Sequence, residues 1–104
     1  MEDITVEELY NKLQNNSNDF FFLDVREQEE FDQQNLGATL IPLGTLPIRL
    51  ADLITHKNSE IVIHCRSGAR SHQAKLFLQQ QGFKKVRNLL GGILEYNSKF
   101  GPVK

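Results

Sequence analysis

Cys65 is the only cysteine of the chain, and it opens the run Cys65-Arg66-Ser67-Gly68-Ala69-Arg70-Ser71, with His64 just before it. The apolar β-branched run Ile61-Val62-Ile63 leads into it, and a long stretch with helical spacing follows. The pattern predicts a thiol at a strand-to-helix turn. Backbone N–H groups at a helix start have no intrahelical partner, and that helix end is positive, so an anion is favoured there. The same field lowers a thiol's pKa and makes it a nucleophile. Arg66 and Arg70 act in the same sense. A thiol titrating near about 8.5 is only a few per cent ionised at neutral pH, and lowering that value by about two takes about 2.7 kcal/mol. Several N–H donors, a helix end and two guanidinium groups supply energy of that order.

The plainer reading is a buried structural cysteine, since a free thiol usually behaves as a small hydrophobe. Ser67 and Gly68 argue against it, because they let the backbone turn tightly beside the sulfur. Two flanking arginines are also poor company for an inert core thiol. The reactive reading is preferred.

The elements that must position this turn alternate along the chain. Thr5-Val6-Glu7-Glu8 fits a capping box, and Val6, Leu9 and Leu13 recur at helical spacing after it. Phe20 to Leu23 reads as a strand buried on both faces, leading into Asp24-Val25-Arg26. A short acidic helix is expected over about Glu27 to Gln33, then a short strand, Thr39 to Ile41, stopped by Pro42. Leu46, Leu50, Leu53 and Ile54 recur at i, i+4, i+7 and i+8 and predict a helix, with Pro47 in its first turn. Ile61 to His64 is the strand that delivers Cys65. A helix over about Gly68 to Gln81 follows, with Ala74, Phe77 and Leu78 inward and Gly82 as C-cap. Lys85 to Leu89 is a last strand, Gly91-Gly92 a tight turn, and Ile93, Leu94 and Tyr96 begin a final helix. Such alternation predicts an α/β layer fold with a mainly parallel sheet covered on both faces. Ligand sites in such folds lie at the carboxyl ends of the strands. Cys65, the Asp24–Arg26 segment and Gly91-Gly92 should therefore meet at one rim.

With 104 residues and a formal net charge of −1, the chain fits one domain over 1–104 and carries no general affinity for nucleic acid or anionic membrane. No apolar run approaches membrane-spanning length. The acidic start lacks a secretory apolar region, and one cysteine makes neither an internal disulfide nor a cysteine-rich zinc site. The cytoplasm is the expected compartment, with no cofactor and no metal.

Four segments together carry a family resemblance: Phe22-Leu23-Asp24-Val25-Arg26 with Glu30-Phe31, Asn35-Leu36-Gly37-Ala38 with Leu40-Ile41-Pro42-Leu43, Cys65 to Ser71, and Leu90-Gly91-Gly92-Ile93. Over nearly its whole length the chain resembles a single-domain member of the rhodanese family of sulfurtransferases. Two segments depart from the common pattern. Many members have His-Ile-Pro-Gly-Ala around Asn35 to Ala38, and many have Trp at Tyr96; both look structural. The resemblance implies a three-layer fold with a five-stranded, mainly parallel sheet and helices on both faces. It also implies that Cys65 carries a transferred sulfur as a persulfide, cradled by Arg66, Ser67, Gly68, Ala69 and Arg70. Thiosulfate or a persulfide would be the donor. The acceptor comes from outside, because the chain has no resolving thiol: cyanide, a thiol such as glutathione, a thioredoxin or a sulfur-carrier protein.

Each neighbour has a second reading. Ser67 either orients the persulfide or caps the helix. Ser71 reads as a first-turn helix residue that supports the loop. Arg70 faces the site in the preferred reading, or pairs with an acid on the rim. Asp24 and Arg26 read as an orienting pair beneath the pocket. His64 reads as a packed histidine rather than a general base, and His56 and His72 as solvent-facing. Two other functions compete. A cysteine phosphatase or arsenate reductase shares His-Cys, but its loop has five residues before arginine, and here Ser71 holds that position. A non-enzymatic persulfide relay or interaction module would keep the loop but take its sulfur from proteins.

Overall fold

In a computed structural model, residues 1–17 and 19–101 are described. Four helices and four strands alternate: α1 Val6–Gln14, β1 Phe20–Asp24, α2 Gln28–Gln33, β2 Thr39–Leu40, β3 Glu60–His64, α3 Ala69–Gln80, β4 Val86–Asn88 and α4 Gly92–Phe100. The strands pair in the order β2-β1-β3-β4, every pair parallel. The expected fifth strand is reduced to one parallel bridge, Ile4 to Leu89, beside β4. A capping threonine follows Ile4 at once, so the chain turns into α1 before a ladder can grow. Thr5 Oγ1 accepts from the Glu8 N–H at 3.1 Å. The other half of the expected capping box is absent, because the Glu8 carboxylate is held by Arg87 instead.

Successive side chains of a strand point to opposite faces, and the two apolar clusters sort accordingly. Phe21, Leu23, Ile61 and Ile63 pack with Leu46, Leu53, Ala74, Leu78 and Phe83 on the α3 side. Phe20, Phe22 and Val62 pack with Val6, Leu9, Ile93 and Tyr96 on the α1 and α4 side. The three layers expected of the family are thus built on a period of two.

The segment expected as a helix over residues 46–54 winds instead as tight 3₁₀ turns, Leu43–Thr45 and Leu50–His56. Three residues per turn align i with i+3 rather than i+4. Leu50, Leu53 and His56 therefore share the inner face, and Ile54 turns out and is exposed. His56, read from sequence as solvent-facing, is half-buried and stacks on the Phe21 ring at 4.2 Å between centroids. His72 is exposed.

The register brings three strand ends level. Asp24 lies beside His64, and Ile63 beside Asn88. The residues that follow, Val25, Cys65 and Leu89, all emerge at one edge of the sheet.

Candidate active site

The Cys65 sulfur sits at the centre of converging donors. Sγ accepts from the Gly68 N–H at 3.1 Å, from the Ser71 N–H at 3.4 Å and from the Ser71 hydroxyl at 3.3 Å. Burial pushes the thiol's pKa up, but the Ser71 hydroxyl and N–H, then the Gly68 and Ser67 N–H groups, bring it below its ordinary value. Cys65 belongs to the core by exposure, at 1%. Its sulfur nevertheless points at polar groups, so a charged sulfur has partners there that an aliphatic pocket would lack.

Two features hold the loop in this shape. Gly68 precedes α3 with φ of 109°, a conformation that glycine adopts at no steric cost. From the other side, the first turn of α4 grips the loop's carbonyls. The Ile93 N–H donates to the Cys65 carbonyl at 3.0 Å, and the Leu94 N–H to the Arg66 carbonyl at 3.1 Å. With those carbonyls held by α4, the Ser67 and Gly68 N–H groups are turned toward the sulfur. Otherwise orphaned donors of α4 are satisfied in the same act.

Around this centre the structure places each residue singled out from sequence. Arg66 and Ser67 are exposed on the loop, and Ala69, also exposed, opens α3. Ser71 is fully buried and contacts the sulfur twice, which is more than the first-turn helix role read from sequence. The Arg70 guanidinium takes the rim-pair arrangement, with Nη1 and Nη2 on the two Glu30 oxygens at 2.7 and 2.8 Å. Arg70 also lies close enough for the Cys65 charge to raise its pKa further, after the hydrogen bond to Glu30. That bond holds the Glu30 carboxyl well below its usual range, at about 2.

Asp24 and Arg26 are paired with each other. Arg26 donates its backbone N–H and Nε to Asp24 Oδ1 and its Nη2 to Oδ2, and Nη2 also reaches the Gln34 carbonyl at 2.8 Å. The pair ties the end of β1 to the end of α2. A cleft of about 290 Å³ opens beside the loop, lined by Arg26, Glu30, Gln34, Arg66, Leu94 and Asn97 among others. Among the described residues, no group of three or more His, Cys, Asp or Glu converges to hold a metal ion, and no helix is long and apolar enough to cross a membrane.

His64 is fully buried, and neither ring nitrogen makes a hydrogen bond. Nε2 lies 3.5 Å from Asp24 Oδ2. Burial depresses its pKa to about 4; the Asp24 charge opposes this and the Arg26 charge adds to it. Histidine in an unfolded chain titrates near about 6.5. Between those values the unfolded chain binds more protons, so stability falls as pH drops through that window. The full effect is about 3 kcal/mol. Urea unfolding from pH 7 to pH 4 should therefore show a loss of stability that His64→Leu largely removes. Equal pH slopes in the two proteins would mean that His64 is not the group titrating.

Two contributors were not legible as site residues. Asn88 reaches Ser71 from β4, and nothing marks it among the charged and apolar residues of the mixed segment Lys85 to Leu89. Glu30 stands in the Glu30-Phe31 part of the family pattern, which does not identify Arg70 as its partner.

The chain belongs to the rhodanese-like domain family, whose model matches residues 5–99. It is 40% identical over 79 residues to a protein of Allochromatium vinosum named "Sulfurtransferase", covering 75% of this chain and 72% of that one. It is 42% identical over 78 residues to the Bacillus subtilis "Putative sulfur carrier protein YrkF", covering 74% of this chain and 41% of that protein. Among solved structures, a rhodanese-like domain protein from Staphylococcus aureus superposes with a TM-score of 0.81 at 34% identity, covering 92% of this chain and 91% of that one.

Proposed function

We propose that the domain is a sulfurtransferase whose Cys65 carries sulfane sulfur as a persulfide. The observation that carries this reading is the convergence of the Gly68 and Ser71 donors on Sγ. Both the thiolate and its persulfide are anionic, and one ring of N–H dipoles serves both. In the first half-reaction the Cys65 thiolate attacks the outer sulfur of thiosulfate. An Sγ–S bond forms, the S–S bond of the donor breaks, and sulfite leaves with its electron pair. In the second, cyanide or a thiol attacks the outer sulfur, and the Cys65 thiolate leaves. This is covalent catalysis with ping-pong kinetics. A protein donor or acceptor, such as a thioredoxin or a sulfur-carrier protein, fits the same cycle.

The test is intact-mass analysis after incubation with thiosulfate, beside thiosulfate:cyanide and para-nitrophenyl phosphate assays. The expected result is the mass of one added sulfur atom, located on Cys65, with thiocyanate formed. Phosphatase turnover without sulfur loading would overturn the reading. Loading without thiocyanate formation would move the acceptor from cyanide to a protein thiol.

Arg70 has its own expected effect. Its pair with Glu30 is partly exposed, and such pairs contribute at most about 1 kcal/mol. Arg70→Ala should leave the urea midpoint nearly unchanged. It should raise the KM for thiosulfate about tenfold, because a guanidinium matches an oxyanion and this one lies within electrostatic reach of Cys65. An unchanged KM would leave Arg70 as a rim pair only.

A further inference from the structure

Ser71 has one hydroxyl proton and two acceptors for it. Its Oγ lies 2.5 Å from Asn88 Oδ1 and 3.3 Å from Cys65 Sγ. Ser71, Cys65 and Asn88 are all buried, at 0%, 1% and 5% exposure. The Asn88 amide is itself anchored: Nδ2 donates to the Gly68 carbonyl at 3.2 Å, and the backbone N–H donates to Asp3 Oδ1 at 2.9 Å. Oδ1 is therefore the atom turned to Ser71. An amide oxygen only accepts, so the proton between the two oxygens belongs to Ser71.

The proton's position depends on the state of the sulfur. A neutral thiol turns its own S–H onto Ser71 Oγ, and Ser71 passes its proton to Asn88. A thiolate is a charged acceptor, and hydrogen bonds to charged groups are the stronger ones. Ser71 then turns its proton to Sγ, and Asn88 Oδ1 loses its donor. Ionising Cys65 thus costs the Ser71–Asn88 bond.

We propose that Asn88 is a positioning residue that competes with Cys65 for the Ser71 proton and so restrains ionisation of the thiol. The proposal goes beyond sulfur transfer itself and rests only on Cys65 being the reactive sulfur. In the persulfide the charge moves to the outer sulfur, Sγ becomes a weak neutral acceptor, and Ser71 returns its proton to Asn88. The charged groups around the trio are few. Arg70, held by Glu30, lies on the α3 side, and Asp3, neutralised by Lys75 and approached by His72, lies on the β4 side. His64 precedes Cys65 in β3 and faces Asp24 and Arg26.

The test titrates Cys65 in the intact chain with no sulfur donor present, by thiolate absorbance and by the pH dependence of iodoacetamide alkylation. Ser71→Ala should raise the titration midpoint. Asn88→Ala should lower it by about one pH unit, about tenfold more thiolate at a fixed pH below the midpoint. In a Ser71→Ala background, Asn88→Ala should have no further effect, since the shared proton is gone. A raised midpoint in Asn88→Ala, or a shift that persists without the Ser71 hydroxyl, would overturn the proposal. Should Asn88→Ala fail to fold, the unaltered chain supplies the readout. The Asn88 side-chain amide resonances should move with Cys65 ionisation, and should stop doing so in Ser71→Ala. Resonances indifferent to that ionisation in the unaltered chain would equally overturn it. Because no donor enters, failure here leaves the transferase reading intact. Failure of sulfur loading, in turn, leaves this titration standing.

Discussion

Cys65→Ser should abolish sulfur loading and leave the fold unchanged. Serine replaces one atom, and its hydroxyl still accepts from the Gly68 and Ser71 N–H groups that now meet the sulfur. Buried donors keep a partner, so the change in unfolding free energy should stay within about 1 kcal/mol. Chemistry is another matter. A hydroxyl stays protonated at neutral pH and is far the weaker nucleophile toward sulfane sulfur, so transfer should fall by at least about a thousandfold. Cys65→Ala would be a poorer test, because it leaves those N–H groups unpaired at a cost of about 1–3 kcal/mol each. The measurements are intact mass after thiosulfate, the rate of thiocyanate formation and the urea midpoint. Since the chain has no second cysteine, loading retained in Cys65→Ser would place the sulfur on a different kind of group and sink the covalent mechanism.

Gly92→Ala should be the most damaging single-methyl change in the molecule. Gly92 has φ of 62°, and a Cβ there would lie 2.7 Å from the Cys65 carbonyl oxygen and closer still to that of Arg66. Backbone on backbone has nowhere to retreat. The left-handed conformation costs alanine about 1–2 kcal/mol, and overpacking typically adds about 1–3 kcal/mol. A loss of about 2–5 kcal/mol is a large share of the roughly 5–15 kcal/mol that holds a domain. The same methyl pushes apart the Ile93 and Leu94 N–H groups and the carbonyls they grip, so the Cys65 thiol should drift back toward ordinary reactivity. Gly37→Ala is the matched control. Gly37 has φ of 89° with nothing within 4 Å of a new Cβ, so it should show the conformational cost alone. Equal losses at the two positions would refute the backbone contact as the cause.

The parts of this fold that rest on periodicity were legible in the sequence. The uninterrupted apolar runs Phe20 to Leu23 and Ile61 to Ile63 read as strands buried on both faces, and their two faces feed the two clusters; the expected helices over α1 and α3 match nearly to the residue. The 3₁₀ turns over Leu50–His56 were not legible, because Leu50, Leu53 and Ile54 satisfy a helical period equally well, and only packing chooses i+3 over i+4. The fifth strand shrank to a bridge because Thr5 caps α1 one residue later. At the site, the strand–turn–helix position of Cys65 was readable from local chemistry. The partners of Arg70 and Ser71 were not. Glu30 lies 40 residues from Arg70, and Asn88 lies 17 from Ser71, and one sequence holds no record of which distant side chains meet.

The grip of α4 on the Cys65 loop has a consequence for synthesis. The residues that hold the loop carbonyls, Ile93 and Leu94, come 28 positions after those they hold. A ribosome exposes Cys65 well before it exposes them. In that interval the thiol belongs to an unclamped chain and keeps the sluggish reactivity of a free cysteine. The geometry that turns backbone N–H groups onto this sulfur is thus completed late, when α4 emerges and takes hold of the Cys65 and Arg66 carbonyls.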